Sequence, residues 1–379
     1  MFQTGIISRF LQCIVMFMIS SNSFAAILNE PTAIFKKQGP CYLIELPGKG
    51  KAMLMMITET RNETVLNYLV QIDLHTGKLI RKRSIETGNR RVTAENVIGK
   101  MGNEIWLYTD SLRAYDILSL ETRITEAMIA TANPLMKDNF STYVNAYLLD
   151  EAAAVLYITA ADGSRHKLYP GSLILKPDNT NSDAFDEDEY SYEYAAEYKL
   201  HDRYHLKYAM GNVSQFNNKV FILGTEKETG NVISYYGSGI YAENPGMRSL
   251  SIFNLSENKE KIAADRPQLF TSKRKYANAG FLKKKFFEKV WCGNAGEHLV
   301  LFESNIKMNP TMSVAKTDST GAELWLSDTG LPMTAFTDYL ITEDGNLVLW
   351  FELQVKEKGM VQSAAMIIQK GKKVKVDLR

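Results

Sequence analysis

The densest group of side chains able to bind a cation or a basic partner is the acidic run DAFDEDE at residues 183–189, which leads into alternating tyrosines. Clustered carboxylates suit hard cations such as Ca²⁺, and tyrosine is enriched at protein interfaces. The run lacks the D-x-[DN]-x-[DN]-G spacing of a calcium loop, which favours a partner surface over a metal site; a solvated loop is the alternative. The candidate partner-binding residues are Asp186, Glu187, Asp188, Glu189, Tyr190, Tyr192 and Tyr194.

A second charged segment is basic and interleaved with aromatic residues. It contains the clusters KRK at 273–275 and KKK at 283–285. Such a run is ordinarily a solvated loop, and a partner-facing surface is the functional alternative, with Lys283, Lys284 and Lys285 as candidates. The whole chain has 44 Lys and Arg residues against 43 Asp and Glu residues, a net charge of +1. Because this balance creates no overall field, we expect no nucleic-acid partner.

Motifs for metal or nucleotide chemistry are missing. His201 and His205 have i,i+4 spacing, but no HExxH motif or paired Cys-x-x-Cys accompanies them. The chain also lacks the G-x-S-x-G elbow, a helix-opening G-x-G-x-x-G and the G-x-x-x-x-G-K-[ST] loop. These absences argue against common hydrolases and nucleotide-dependent enzymes, and we expect neither a metal nor a cofactor.

The first 25 residues have the pattern of a secretory signal peptide. Arg9 precedes an apolar stretch at 10–20, and Ser23 and Ala25 supply the small residues of a cleavage site. The stretch is shorter than the ~20 residues that span a bilayer, and no later segment is long enough to do so. We therefore expect a periplasmic or secreted protein without a membrane span after cleavage, comprising residues 26–379.

Two cysteines, Cys41 and Cys292, are left after removal of the predicted signal peptide. In an oxidising compartment they permit one disulfide. Two buried thiols are the alternative, because the separation of the two Cα atoms is not readable from sequence.

Short apolar strands preceded by a polar turn recur along the chain. The copies lie at 102–108, 217–223, 296–302 and 344–350. Their apolar residues do not alternate with polar ones, which predicts strands that are buried on both faces.

A second recurring piece is an alternating strand that ends in a tight turn, seen at 70–78, 114–119, 252–259 and 315–325. An Asp or Asn at its start can cap the turn through its side chain, and a Gly near its end tolerates a positive φ. The structural turn residues are Asp73, Gly77, Asp116, Asn254 and Gly321.

The spacing of these turns predicts a repeat fold. Gly77, Leu120, Asn258 and Gly321 are 43, 138 and 63 residues apart. A unit of about 40–50 residues with four short strands is typical of a propeller blade. We therefore predict an all-β chain that folds as one β-propeller of about seven four-stranded blades, with six or eight allowed. Insertions are expected near 176–200 and 263–289.

The stretch 315–325 resembles the repeat of the quinoprotein-like β-propellers, whose pattern is Ala-x-Asp-x-x-Thr-Gly-x-x-x-Trp. Ala315, Thr320, Gly321 and Trp325 fall on this pattern, and Thr317 stands in the Asp position. The resemblance implies a propeller fold, in an exported bacterial member of this superfamily. The superfamily also includes quinone-dependent dehydrogenases and a lipid-anchored assembly factor, but this chain has neither a vicinal Cys-Cys pair nor a lipobox cysteine.

These observations favour a non-catalytic binding or scaffolding protein with another envelope protein as its partner. Propellers offer rigid faces and variable loops for such contacts. The alternative is a quinone- or calcium-dependent enzyme whose site lies over the central channel.

Overall fold

The computed structural model describes residues 33–61, 64–85, 92–178, 208–226, 234–236, 239–241, 247–254, 269–284, 290–305, 310–355 and 360–378. Strands dominate these residues, which contain a single α-helix. The prediction of an all-β chain is confirmed at this level. The predicted signal peptide lies outside the described residues.

The first half of the chain forms three sheets, each of four consecutive antiparallel strands. Sheet 1 contains β1 (Ile34–Leu46), β2 (Gly50–Arg61), β3 (Thr64–Asp73) and β4 (Leu79–Ser84). Sheet 2 contains β5 (Val97–Met101), β6 (Glu104–Tyr108), β7 (Leu112–Asp116) and β8 (Thr122–Thr125). Sheet 3 contains β9 (Tyr147–Asp150), β10 (Val155–Thr159), β11 (Arg165–Leu168) and β12 (Lys176–Pro177).

The second half repeats this arrangement. Sheet 4 contains β13 (Tyr208–Phe216), β14 (Lys219–Glu226), β17 (Met247–Asn254) and β18 (Phe270–Thr271), with the hairpin β15 (Ser234–Tyr236) and β16 (Gly239–Tyr241) inserted. Sheet 5 contains β19 (Tyr276–Phe281), β20 (His298–Glu303), β21 (Thr311–Thr317) and β22 (Glu323–Pro332). Sheet 6 contains β23 (Phe336–Ile341), β24 (Leu347–Val355), β25 (Met360–Gln369) and β26 (Lys372–Lys375). A short β17–β19 pairing joins sheets 4 and 5.

The second strand of each sheet carries the core. All five residues of β6 are buried, as are Ala52–Glu59 of β2 and Leu347–Phe351 of β24. Successive side chains of a strand point to opposite faces of its sheet. Both faces of these strands are apolar, so a neighbouring sheet can pack on each face. Hydrophobic clusters fill the spaces between sheets 1 and 2, 2 and 3, 4 and 5, 5 and 6, and 6 and 1. Burial of each large side chain stabilises the fold by about 1.5–3 kcal/mol.

The first and the last sheet pack against each other without exchanging a strand. Met53 and Met55 of sheet 1 share a cluster with Val348 of sheet 6. The Lys37 ammonium lies 2.7 Å from the Asp338 carboxylate. Residues about 300 positions apart in the chain are therefore direct neighbours.

Tight turns end the third strand of several sheets. The Asp73 carboxylate accepts hydrogen bonds from the backbone N–H groups of His75 and Thr76, both at 2.7 Å. Gly77 has a φ of +69°, and Gly321 has a φ of +87°, which confirms the positive φ predicted for both glycines. The turn that follows Asn254 lies outside the described residues.

Sheet 2 forms the same turn without a glycine. The Asp116 carboxylate accepts hydrogen bonds from the backbone N–H groups of Leu118 and Ser119. Leu120 takes the position of Gly77 and has a φ of +62°. Since the side chain of Leu120 is fully buried, packing offsets the strain of a left-handed leucine.

The turn in sheet 5 corrects one detail of the repeat alignment. Asp318, one residue after Thr317, makes the capping bonds, to the backbone N–H groups of Thr320 (2.7 Å) and Ala322 (3.0 Å). The Gly321 N–H donates to the Asp318 carbonyl, three residues back, whereas the Gly77 N–H donates to Asp73, four residues back. The sheet 5 turn is therefore one residue tighter, and a fixed-spacing pattern assigns the cap to the wrong residue.

These turns press against the preceding sheet. A Cβ atom on Gly77 would lie 2.5 Å from the Lys375 carbonyl oxygen of sheet 6, and one on Gly321 would overlap the Phe270 ring of sheet 4. The Asp377 N–H also donates to the Gly77 carbonyl (2.9 Å). The glycines are therefore required both by their φ and by the close approach of a neighbouring sheet.

The contact of Gly77 with sheet 6 is testable against Gly48, which has nearly the same φ (+70°) but nothing within 4 Å of its Cβ position. Either glycine-to-alanine change should cost about 1–2 kcal/mol of strain. We expect Gly77→Ala to cost about 1–3 kcal/mol more, because it also overpacks the interface. Urea unfolding of both variants gives the difference. Equal losses of stability would show that the turn does not press on sheet 6.

Candidate functional site

The structure covers the two charged segments only in part. The acidic and tyrosine-rich residues 186–194 lie outside the described residues, as does Lys285, so those assignments stay predictions. Lys284 is exposed. The Lys283 carbonyl accepts a hydrogen bond from the Tyr339 hydroxyl of sheet 6 at 2.9 Å. Lys283 therefore helps to fix the segment to a neighbouring sheet.

Cys41 and Cys292 remain thiols on separate sheets and form no disulfide with each other. Cys41 lies buried on β1, where its Sγ atom is 3.9 Å from the Sδ atom of Met55. Cys292 is half-buried beside β20. Burial raises the pKa of the Cys292 thiol, and the nearby Glu297 raises it further. A raised pKa lowers the thiolate fraction and hence the reactivity of this thiol.

One carboxylate, directly after the first strand of sheet 3, makes contacts to the first strands of two other sheets. Glu151, directly after β9, accepts a hydrogen bond from the backbone N–H of Lys100 on β5 at 3.0 Å. It also bonds the Tyr42 hydroxyl of β1, and burial together with this carboxylate raises the pKa of Tyr42. One side chain thus joins the first strands of sheets 1, 2 and 3. Within the described residues, no group of three or more His, Cys, Asp or Glu side chains could hold a metal ion.

The segment between sheets 2 and 3 departs from the strand-turn-strand pattern. This connector, residues 126–146, contains helix α1 (Glu126–Ala132) and two 3₁₀ turns (Pro134–Met136 and Val144–Ala146). The Thr125 hydroxyl caps α1 by accepting a hydrogen bond from the Met128 N–H at 3.3 Å. Our sequence reasoning missed the connector. A capping threonine, the helix-forming EAMIATA and a following Asn-Pro could have indicated it.

Asn133 fixes the connector at the end of α1. Its side-chain amide donates to the carbonyls of Ile129 (2.7 Å) and Leu173 (2.6 Å), and its side-chain oxygen accepts from the Leu175 N–H (2.9 Å). The amide thus bridges the end of α1 to the loop between β11 and β12, and it holds Ile174 beside the connector.

Two tyrosines fix the connector at Ser141. The Ser141 carbonyl accepts hydrogen bonds from the hydroxyls of Tyr147 (2.7 Å) and Tyr108 (3.3 Å). The two rings stack with their centroids 4.9 Å apart. Strands of sheets 2 and 3 therefore hold the same peptide group of the connector.

Large apolar side chains project from this fixed segment into solvent. Leu135 is 92% exposed and Tyr143 is 73% exposed, and Ile174, whose chain neighbours bond Asn133, is 56% exposed. Their neighbours Ile129 and Met136 are buried, which anchors the backbone underneath. Exposure of several apolar residues on one fixed segment is typical of an interaction surface. We call Leu135, Tyr143 and Ile174 the connector surface.

Comparison with known proteins assigns no family. No family model matches the chain, and no curated protein matches it. Solved structures with detectable similarity include an oligogalacturonate lyase in complex with manganese, with 9% identity, 89% of this chain and 84% of that chain covered, and a TM-score of 0.25. Drosophila Semaphorin 1b, extracellular domains 1-2, has 8% identity, coverages of 92% and 85%, and a TM-score of 0.23. Scores this low assign neither fold nor activity.

Among the described residues, no helix combines the length and the apolar character needed to cross a bilayer.

The attachment of the connector can be tested with two tyrosines. Tyr147→Phe should lower the free energy of unfolding by about 1 kcal/mol, because it removes a buried hydrogen bond. Tyr143→Phe is the matched control, since this exposed ring carries no comparable bond and should change stability by less than about 0.5 kcal/mol. Hydrogen exchange at residues 139–142 should rise only in the first variant. Equal exchange in both variants would show that Tyr147 does not hold the connector.

Proposed function

We propose that this chain is an exported β-propeller that binds a protein partner through the connector surface, without catalysis of its own. The observation that carries the proposal is the contrast within the connector. Its backbone is held by Asn133 and by the Ser141 carbonyl, while Leu135 and Tyr143 are left almost fully in solvent.

The arrangement of the sheets supports closure into a propeller. Sheet 1 packs on sheet 6 through the same kind of turn contact, at Gly77, that sheet 5 makes with sheet 4 at Gly321. A recurring contact that also links the two ends of the chain is expected of a ring of blades. The described residues contain four four-stranded sheets and one eight-stranded sheet, which divides at the short β17–β19 pairing into sheets 4 and 5. We therefore propose six blades, one of the numbers that the sequence allows. The link between sheets 3 and 4, residues 179–207, lies outside the described residues.

The rigidity of the connector supports binding. A surface that is ordered before association loses less conformational entropy when a partner docks. Leu135 lies in the chain between Asn133, which bonds both the end of α1 and the loop between β11 and β12, and the buried Met136. A side chain with that support can fill a partner's pocket as an anchor, and truncation of such anchors commonly costs 2 kcal/mol or more.

The predicted signal peptide supports a location in the periplasm or outside the cell. The partner that we propose is accordingly another envelope protein. The acidic segment at 186–189 and the basic residues at 283–285 are the competing contact surfaces, and a binding experiment should separate them from the connector surface.

Capture of partners from an envelope extract by the immobilised chain 26–379 tests the proposal. We expect Leu135→Ser to lower the affinity for a captured protein at least tenfold, equivalent to about 1.4 kcal/mol. Leu324→Ser on β22 is the control, because Leu324 is another exposed leucine (51%, against 92% for Leu135) but lies on sheet 5. Its affinity should match that of the unmodified chain.

A second variant tests the acidic segment. It carries Asp186→Asn, Glu187→Gln, Asp188→Asn and Glu189→Gln. If this variant lost capture while Leu135→Ser kept it, the acidic segment would be the site and the connector surface would not. If Leu135→Ser and Leu324→Ser captured the same proteins with equal affinity, the connector surface would be ruled out.

A further inference from the structure

A histidine lies inside the junction between sheets 4 and 5. His298, the first residue of β20, is fully buried. Its Nε2 atom lies 2.8 Å from the Ser214 hydroxyl of β13 in sheet 4. Its ring packs against Phe221 of β14 at 4.3 Å and Phe281 of β19 at 5.3 Å between ring centroids. The imidazole therefore contacts strands of both sheets.

The backbone pairing between these two sheets consists of two residue pairs. Strands β17 and β19 pair only through Met247 with Ala277 and Arg248 with Tyr276. Apolar packing, in which Phe221, Phe281 and Val300 take part, fills much of the rest of the junction. Two polar side chains also bridge the sheets there: the buried Arg248 donates to the Ala279 carbonyl, and the Lys275 ammonium donates to the Ser249 hydroxyl (2.6 Å). The junction therefore depends on the fit of its side chains more than on a continuous ladder of hydrogen bonds.

We propose that protonation of His298 opens the junction between sheets 4 and 5, so that acid exposes the aromatic surface between them while sheets 1 and 2 stay folded. A charged imidazolium in this place loses its water and gains little in exchange. Among the described residues, its side-chain hydrogen-bond partner is the neutral hydroxyl of Ser214. The aromatic faces attract a cation only weakly compared with the water they replace.

Among the residues that the structure describes, the ionisable groups around the ring do not supply a counter-charge at hydrogen-bond distance. Ser214, Phe221 and Phe281 present no charge from β13, β14 and β19. On the β20 side, the neighbouring Glu297 favours the charged ring, but its carboxylate faces the Lys316 ammonium of β21 at 3.4 Å. The half-buried Cys292 pairs with His298 across a β-bridge and bears a thiol whose pKa burial raises.

The direction of the pH effect follows from burial. Burial lowers the pKa of His298 from 6.5 to about 4, although the Gly296 backbone and Glu297 act in the opposite direction. The opened junction then binds a proton more readily than the closed one. The closed junction is most stable above pH 6.5 and becomes less stable as the pH falls toward 4. These values give a roughly 30-fold rise in the opening equilibrium between pH 7.5 and pH 5.

Hydrogen exchange measured by mass spectrometry on the chain 26–379 tests the proposal. After correction for intrinsic exchange rates, peptides from β14 and β20 should open roughly 30-fold more at pH 5 than at pH 7.5. Peptides from β2 and β6 should change much less. His298→Gln should abolish the difference between the two pH values, since the side chain no longer titrates.

Two further variants make the result decisive. His75→Gln, in an exposed turn, is the matched control and should keep the full pH dependence. If His298→Gln does not fold, His298→Phe replaces it, because a flat ring can fill the space between Phe221 and Phe281. The proposal is overturned if β14 and β20 exchange equally at both pH values in the unmodified chain. It is also overturned if His298→Gln or His298→Phe keeps the dependence, or if β2 and β6 open as much as β14.

Discussion

The close approach of one sheet's turn to the edge strand of a neighbouring sheet is the constraint on which the rest of this structure depends. At Gly77 the approach leaves no room for a side chain, and the Asp377 N–H bonds the Gly77 carbonyl. The contact fixes the order in which sheets stack, and it covers part of a strand edge that would otherwise offer free backbone groups to another chain. Because it also links sheet 1 to sheet 6, it brings the two ends of the chain together without strand exchange.

The local parts of this arrangement can be predicted from sequence because their causes are local. A run such as Leu347–Phe351 is apolar on both faces whatever its neighbours are, and an Asp four residues before a Gly caps a turn by itself. Prediction from sequence is less accurate where tertiary packing overrides the conformational preference of a residue type. Leu120 adopts a left-handed conformation that its type disfavours, and Asp318 replaces Thr317 as the cap because that turn is one residue shorter.

The connector and the contact between the first and last sheets could not be predicted, because their causes are not local. The bond from Asn133 to Leu173 spans 40 residues and the pair Lys37–Asp338 spans 301. An asparagine or a lysine carries no sequence signal of such a partner. Short helical patterns such as EAMIATA are also marginal alone, since most helix stability comes from packing. The exposed Leu135 indicates an interaction surface only because the residues around it in the chain are held in place, which the sequence does not show.

The two regions proposed to carry function respond differently to solution conditions. The connector is held by an amide, by backbone groups and by tyrosine hydroxyls, and burial together with Glu126 raises the pKa of Tyr147 further above its usual value. These bonds carry no charge near neutral pH, so salt should change them little. One connector group that mild acid can protonate is Glu126, whose carboxylate accepts a hydrogen bond from the Leu112 N–H and whose pKa burial raises. The junction of sheets 4 and 5 contains an imidazole that titrates once it is exposed. Since these regions lie on different sheets, a partner bound at the connector surface can stay bound while acid loosens the junction.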